Sequence, residues 1–518
     1  MNALKTGLAS FPLAVSLLLF GFAGTTFAQA SALVVRLEPG PYAVGFRSVN
    51  QYDYSRSYKL EYDLEGNPVT GEQARPIQTS VWYPARSERR ARTMRFAEYA
   101  YLLANEENFV ELTEAARSEA IKQLQLTYGT PPDRLSRELD ARTNAIKNAA
   151  PAAGAFPVLV YAPGFNGPSF ENSVLCEYLA SQGYIVVASP CLGVNSRRTT
   201  TNMAGIEAQT RDIEFLISFA HTLPHADLDR LAVIGFSMGG ISNVYATMRD
   251  DRIKALVGLD GAIRFQDAYN LIKQAPHFDV GKVNVPFFYM SSKPYTAQDS
   301  EFTFYKALRY SDAYYLTFNK LVHLNFASAV LKLSERESDE ASQEEINQSY
   351  DLVCRYTLAF LNAYLKGDEK SLGHLRQEPE ATRPPASVLS AQSKAAFRPS
   401  PVVGEFAHFL RSNAITLEDA DKEYEKIKQS NPDYTLAEAE VNRWGYELLR
   451  RKKVREAVGV FKLNVRMYPQ SSGAYDSLAE AYMEQGDKAL AVQNYKRSLE
   501  LNPQNSNALE MIKKLSER

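Results

Sequence analysis

The sequence predicts an α/β protein: a mostly parallel sheet with helices on both faces and a helical insertion, followed by a small all-helical domain. Three observations lead there. Between Phe156 and Asn319, six apolar runs alternate with helical patterns, as a parallel sheet buried on both faces requires. Before them, residues 88–150 are charged, rich in alanine and leucine, and helical in period. Beyond residue 400, a set of apolar and small residues recurs at intervals of 34. At 518 residues the chain exceeds one ordinary domain. Its formal charge of −2 gives no electrostatic reason to expect a nucleic-acid partner.

Residues 1–30 have the layout of a secretory signal peptide. Lys5 supplies the positive start, Phe11 to Phe22 is almost wholly apolar, and Ala28-Gln29-Ala30 places small residues where a signal peptidase reads. The expectation is a mature chain from Ser31, exported to the periplasm or outside the cell. The competing reading is an uncleaved anchor, for which the apolar run is short.

From Tyr42 to Trp82 the stretches YAVGFRSV, YKLEYDL and IQTSVWYP alternate between apolar and polar residues. They read as an antiparallel lead-in to the sheet. The helical insertion, 88–150, is either a lid over a site or surface decoration. The parallel series then runs FPVLVYAPG, GYIVVASP, DRLAVIGFS, IKALVGLD, NVPFFYMSS and AYYLTFN. The helical pattern SYDLVCRYTLAFLNAYLKG closes a domain over 31–370. Residues 371–400, rich in Pro, Ser, Gln and charge, read as a linker. In 401–518, Trp444, Gly445, Leu448, Ala457, Phe461 and Pro469 return as Leu478, Ala479, Tyr482, Ala491, Tyr495 and Pro503. This resembles the tetratricopeptide repeat: two antiparallel helices with small residues where they cross and proline at the end. A protein partner bound through the repeats is one role the resemblance implies.

The chemistry centres on Gly235-Phe236-Ser237-Met238-Gly239, a G-x-S-x-G segment between a strand-like run and a helical one. In such an elbow the serine sits on a strained turn that projects its hydroxyl, and neighbouring positions are too close for side chains. A serine hydroxyl needs a base to become a good nucleophile. Of six histidines, His323 comes directly after the last strand of the series, where the imidazole can fold back onto the elbow; His374 is in the linker and His408 beyond it. Two aspartates suit the acid. Asp260 ends the fourth run of the series; Asp299 follows the fifth, in a polar loop. Oxyanion donors are expected from the amide of Met238 and from the turn PGFNG, with Phe165 first and Asn166 next. The cysteines, Cys176, Cys191 and Cys354, lack metal-ligand spacing. Cys176 and Cys191 flank one helix–strand unit and are a candidate disulfide; the alternative is three buried thiols.

With these residues placed, the stretch from Phe156 to Phe326 resembles the α/β-hydrolase family of platelet-activating factor acetylhydrolases (plasma and intracellular type II branch). It also resembles the related dienelactone-hydrolase-like group. Leu259-Asp260 matches the family's L-D segment, Val322-His323-Leu324-Asn325-Phe326 its V-H-x-N-F segment, and LASQGYIVVAS its second core segment. The resemblance implies an α/β-hydrolase fold and serine esterase activity through an acyl-enzyme, with no metal or organic cofactor. It favours Asp260 over Asp299. The implied substrate is a carboxylic ester of moderate size, with short-acyl phospholipid esters among the candidates. The chain departs from the family at Pro163-Gly164, where the family's oxyanion turn begins H-G. Two other functions stay open on these residues. One is a peptidase or amidase on the same triad. The other is an interaction protein whose hydrolase domain is a scaffold.

Overall fold

A computed structural model of the chain describes residues 31–516, apart from 60–61, 63–65, 69, 88–90, 110, 294–301, 336–340, 377–383, 386, 397–416 and 431–435. The expected signal peptide and Asp299 lie outside the described residues. The chain divides into two compact units, Met1–Ala396 and Phe397–Arg518.

The first unit is built on one sheet. Its strands are β1 (Ala43–Ser57), β2 (Ala74–Ala85), β3 (Ala145–Lys147), β4 (Phe156–Ala162), β5 (Ile185–Ala188), β6 (Ala226–Phe236), β7 (Ile253–Leu259), β8 (Phe287–Ser292), β9 (Ala313–Phe318) and β10 (Leu389–Lys394). Their order is β10-β9-β8-β7-β6-β4-β5-β2-β1-β3. The six runs of the expected series are β4 to β9, and every neighbouring pair among them is parallel. This is the α/β-hydrolase arrangement. The period of two along each strand divides the apolar residues between two cores. Leu159, Tyr161, Ile234, Phe236, Val257 and Leu259 pack on one face with helices Ser173–Ser181 and Gln343–Leu365. Val158, Val160, Val233, Leu256 and Tyr289 pack on the other with helices Met203–Ala220 and Met238–Thr247. Burial on both faces is why these runs are continuously apolar.

Of the alternating stretch YKLEYDL, Leu60, Glu61, Asp63 and Leu64 lie outside the described residues, and Tyr62 bridges to Pro68; the described lead-in is the hairpin of β1 and β2. Two sequence expectations need correction here. The insertion is helical at Glu114–Tyr128 and Pro132–Asp140, but it ends in β3, which pairs parallel with β1. The segment 371–400 is more than a linker. It holds the helix Glu369–Arg376 and β10, which pairs antiparallel with β9 along its whole length. Only Leu389 of β10 is buried, so this edge strand has the polar composition of a loop. All three cysteines are buried free thiols, so no disulfide links Cys176 to Cys191.

The described residues of the second unit are helical, joined by turns. Helices Glu438–Arg450, Val454–Met467, Ser472–Gln485, Lys488–Leu501 and Ser506–Ser516 follow one another through short turns, each packed on the next. The recurring positions form its core: Leu448, Ala457 and Phe461 in one pair of helices, Tyr482, Ala491 and Tyr495 in the next. No described helix of the chain is long and apolar enough to cross a membrane.

Candidate active site

The sheet order decides what meets at its carboxyl edge. The sequence from β4 leads to β5 on one side and β6 on the other, so the turn after β4 and the turn after β6 are neighbours. This reversal of strand order is where α/β sheets open a crevice for ligands. Ala162 of β4 lies opposite Gly235 of β6, and Phe236 opposite Leu259 of β7. The edge thus presents the PGFNG turn, Ser237 and Asp260 side by side, with β8 and then β9 beyond them.

Ser237 stands between β6 and the helix Met238–Thr247 with φ 51° and ψ −117°. Such a backbone costs on the order of 1–3 kcal/mol for a residue with a side chain. Three hydrogen bonds hold it: Ser237 N–H donates to Leu259 O at 3.3 Å, and Ser237 O accepts from Gly240 N–H at 3.0 Å and Ala262 N–H at 2.7 Å. The flanking glycines are a steric requirement. A Cβ on Gly239 would stand 2.1 Å from Ala162 O, and one on Gly235 would stand 2.3 Å from Gly239 O.

The structure brings the predicted base and acid to this serine. His323 Nδ1 lies 3.0 Å from Asp260 Oδ2, and its Nε2 lies 2.9 Å from Ser237 Oγ. A carboxylate only accepts, so Nδ1 carries the proton toward Asp260 and Nε2 accepts from the serine hydroxyl. The imidazole stacks on Phe236 with centroids 5.1 Å apart. The motif's first variable residue therefore serves as the ring's platform.

Asp260 is fully buried and has φ 43°. Its amide donates to Met290 O at 2.7 Å. Two neighbours of its carboxylate were not legible in the sequence. The Ser292 hydroxyl, at the end of β8, donates to Oδ2 at 2.7 Å. Arg264 Nη2 lies 3.4 Å from Oδ1, and both side chains are wholly buried. Arg264 also donates to Ser292 O at 2.9 Å.

The loop that carries His323 is tied to the PGFNG turn through two adjacent residues, Glu171 and Asn172. The Glu171 carboxylate accepts from Gly164 N–H at 2.9 Å and from the Tyr161 hydroxyl at 3.1 Å. Its backbone carbonyl accepts from Ala329 N–H at 2.9 Å. The Asn172 amide donates to Phe326 O at 2.9 Å and accepts from Ser328 N–H at 3.1 Å. Asn166, with φ 56°, turns its own amide toward the Cys191 thiol. That amide is therefore engaged, and Phe165 and Met238 remain the candidate oxyanion donors. Met238 is the first residue of its helix, where an amide has no intrahelical acceptor. Among the described residues, no group of three or more His, Cys, Asp or Glu could hold a metal ion.

Burial pushes the Glu171 carboxyl from its ordinary 4.5 up to about 7, against the pull of the Gly164 amide and the Tyr161 hydroxyl. The folded chain therefore keeps a proton that the unfolded chain loses. Stability contributed by the protonated form is present below the unfolded value and is lost as pH rises through the folded one. Glu171→Gln keeps an acceptor for Gly164 and never ionises. The melting temperature of the variant relative to the parent should rise from about pH 5 to about pH 7.5. A difference that stays flat with pH would contradict the buried, proton-holding carboxyl.

Comparison with known proteins adds the following. Residues 136–265, about a quarter of the chain, match a family model described as Chlorophyllase. The matched stretch contains Ser237 and Asp260 and stops before His323. No curated protein sequence matches the chain. Among solved structures, the chain is similar to a ferulic acid esterase from Streptomyces cinnamoneus, with 20% identity and a TM-score of 0.49. That match covers 69% of this chain and 98% of the other.

Proposed function

We propose that this protein is a carboxylic ester hydrolase working through an acyl-enzyme on Ser237. The observation that carries the reading is the unbroken hydrogen-bonded series Asp260–His323–Ser237, ending at a serine on a strained elbow. Ser237 Oγ attacks the ester carbonyl while His323 Nε2 takes its proton. Asp260 holds the ring in one tautomer and stabilises the imidazolium. The Phe165 and Met238 amides receive the oxyanion. His323 returns the proton to the leaving alcohol, then activates the water that releases the acid. The local match to the Chlorophyllase model supports an ester rather than an amide as substrate. The motif resemblance to platelet-activating factor acetylhydrolases supports short acyl groups. The layout of residues 1–30 supports export, and the repeats of the helical unit support a tetratricopeptide-like docking role.

The test is a comparison of short-acyl p-nitrophenyl esters with dipeptide anilides. Ester turnover with little anilide cleavage is expected. Preference for the anilides would replace the esterase reading by a peptidase or amidase.

A further inference from the structure

The helical insertion reaches the oxyanion turn through one buried ion pair, and we propose that Glu106 and Arg197 position that turn for catalysis. The proposal rests on the esterase reading above. Asn166 sits in the left-handed region, which asparagine tolerates, and contacts from a second segment hold it there. The support comes from the strap 191–199, which follows β5. Thr199 N–H donates to Asn166 Oδ1 at 2.8 Å, and Cys191 N–H donates to Gly167 O at 2.9 Å. Arg197 joins strap and turn most directly. Its Nη2 donates to Asn166 O at 3.0 Å and its Nη1 to Cys191 O at 3.3 Å.

A guanidinium spread over two carbonyls has no counter-charge from them. That charge is supplied by Glu106, in the insertion, whose carboxylate pairs with Arg197 Nε. Glu106 is 2% exposed, and burial pushes its carboxyl up to about 7 despite Arg197. A carboxylate held in so costly a place is a poor choice for mere surface decoration. The fork of an arginine suits the task, because a lysine could not address two carbonyls and a carboxylate from one plane. The strap has a second anchor on its far side. Arg75 of β2, wholly buried, donates to Leu192 O at 3.2 Å and pairs with Asp212 at 2.5 Å. The strap is thus fixed at its start by the sheet and at its end by the insertion. Asn166 adjoins the donor Phe165, so a shift of the strap's end moves an oxyanion amide.

The experiment compares the full-length protein with Glu106→Gln, Arg197→Gln and the double variant, using p-nitrophenyl acetate turnover. Each single variant should lower kcat by about 10- to 100-fold, short of deleting a donor outright. KM should stay within about threefold, because the turn acts on the transition state. The double variant should be little worse than either single one, since both act through one contact. Leu126→Ala, on the exposed face of the insertion, should leave kcat unchanged. Effects confined to KM, additive effects, or kcat within about twofold of the parent would overturn the proposal. A substrate-free arm separates this proposal from the esterase reading. Amide hydrogen exchange in the segment 163–172 should accelerate in Glu106→Gln at unchanged melting temperature. Unchanged exchange there would overturn the positioning role whatever the chemistry of Ser237.

Discussion

Replacing Ser237 by alanine should reduce turnover of p-nitrophenyl esters by about 10⁴-fold or more, to the level left by binding and the oxyanion amides. The fold should be indifferent to the change. The hydroxyl's partner is His323, and alanine bears the same backbone strain as serine at φ 51°. The variant should therefore melt within the range of a neutral substitution, about ±0.5 kcal/mol. It should also lose covalent labelling by a fluorophosphonate. Turnover within tenfold of the parent would remove Ser237 from the mechanism, and the acyl-enzyme with it.

Asp260→Asn should do two things at once. It should lower kcat by about 10⁴-fold, because an amide can favour the wrong imidazole tautomer and cannot stabilise the imidazolium. It should also cost stability, which an acid that only oriented the histidine would not do. Arg264 is buried beside this carboxylate at 3.4 Å. Neutralising one member of a buried pair leaves the other charge uncompensated, at a cost of about 3–5 kcal/mol. The two effects can be separated. Asp260→Asn combined with Arg264→Met should recover much of the stability and none of the kcat, read by urea unfolding and ester kinetics. If Asp260→Asn unfolds at the parent's urea concentration, the aspartate is not what keeps Arg264 in place.

The strands β4 to β9 were legible because burial on both faces forces continuous runs of Val, Ile, Leu and Phe. Ser237 was legible because the elbow requires glycine at fixed neighbours, and His323 because it comes directly after the last strand of the series. β10 was not. LSAQSK sits at a sheet edge with one buried residue, so nothing in its composition separates it from a loop. The network around the site was equally hidden. Glu171, Arg197, Arg264 and Glu106 look like any charged residue in a list of 118. Their partners are distant in sequence, and desolvation by the surrounding fold is what makes them costly to bury and therefore informative.

The sequence by itself determined the fold class and the serine elbow, because these rest on local rules: residue periodicity, strand length and the steric limits of a tight turn. Only the tertiary structure decided how Asp260 is held, and how the turn around Phe165 is braced. It also related the helical insertion to that turn. Those depend on the order of strands in the sheet, which brings the turns after β4, β6 and β7 to one edge. They depend too on burial, which turns ordinary charges into paired and proton-holding ones.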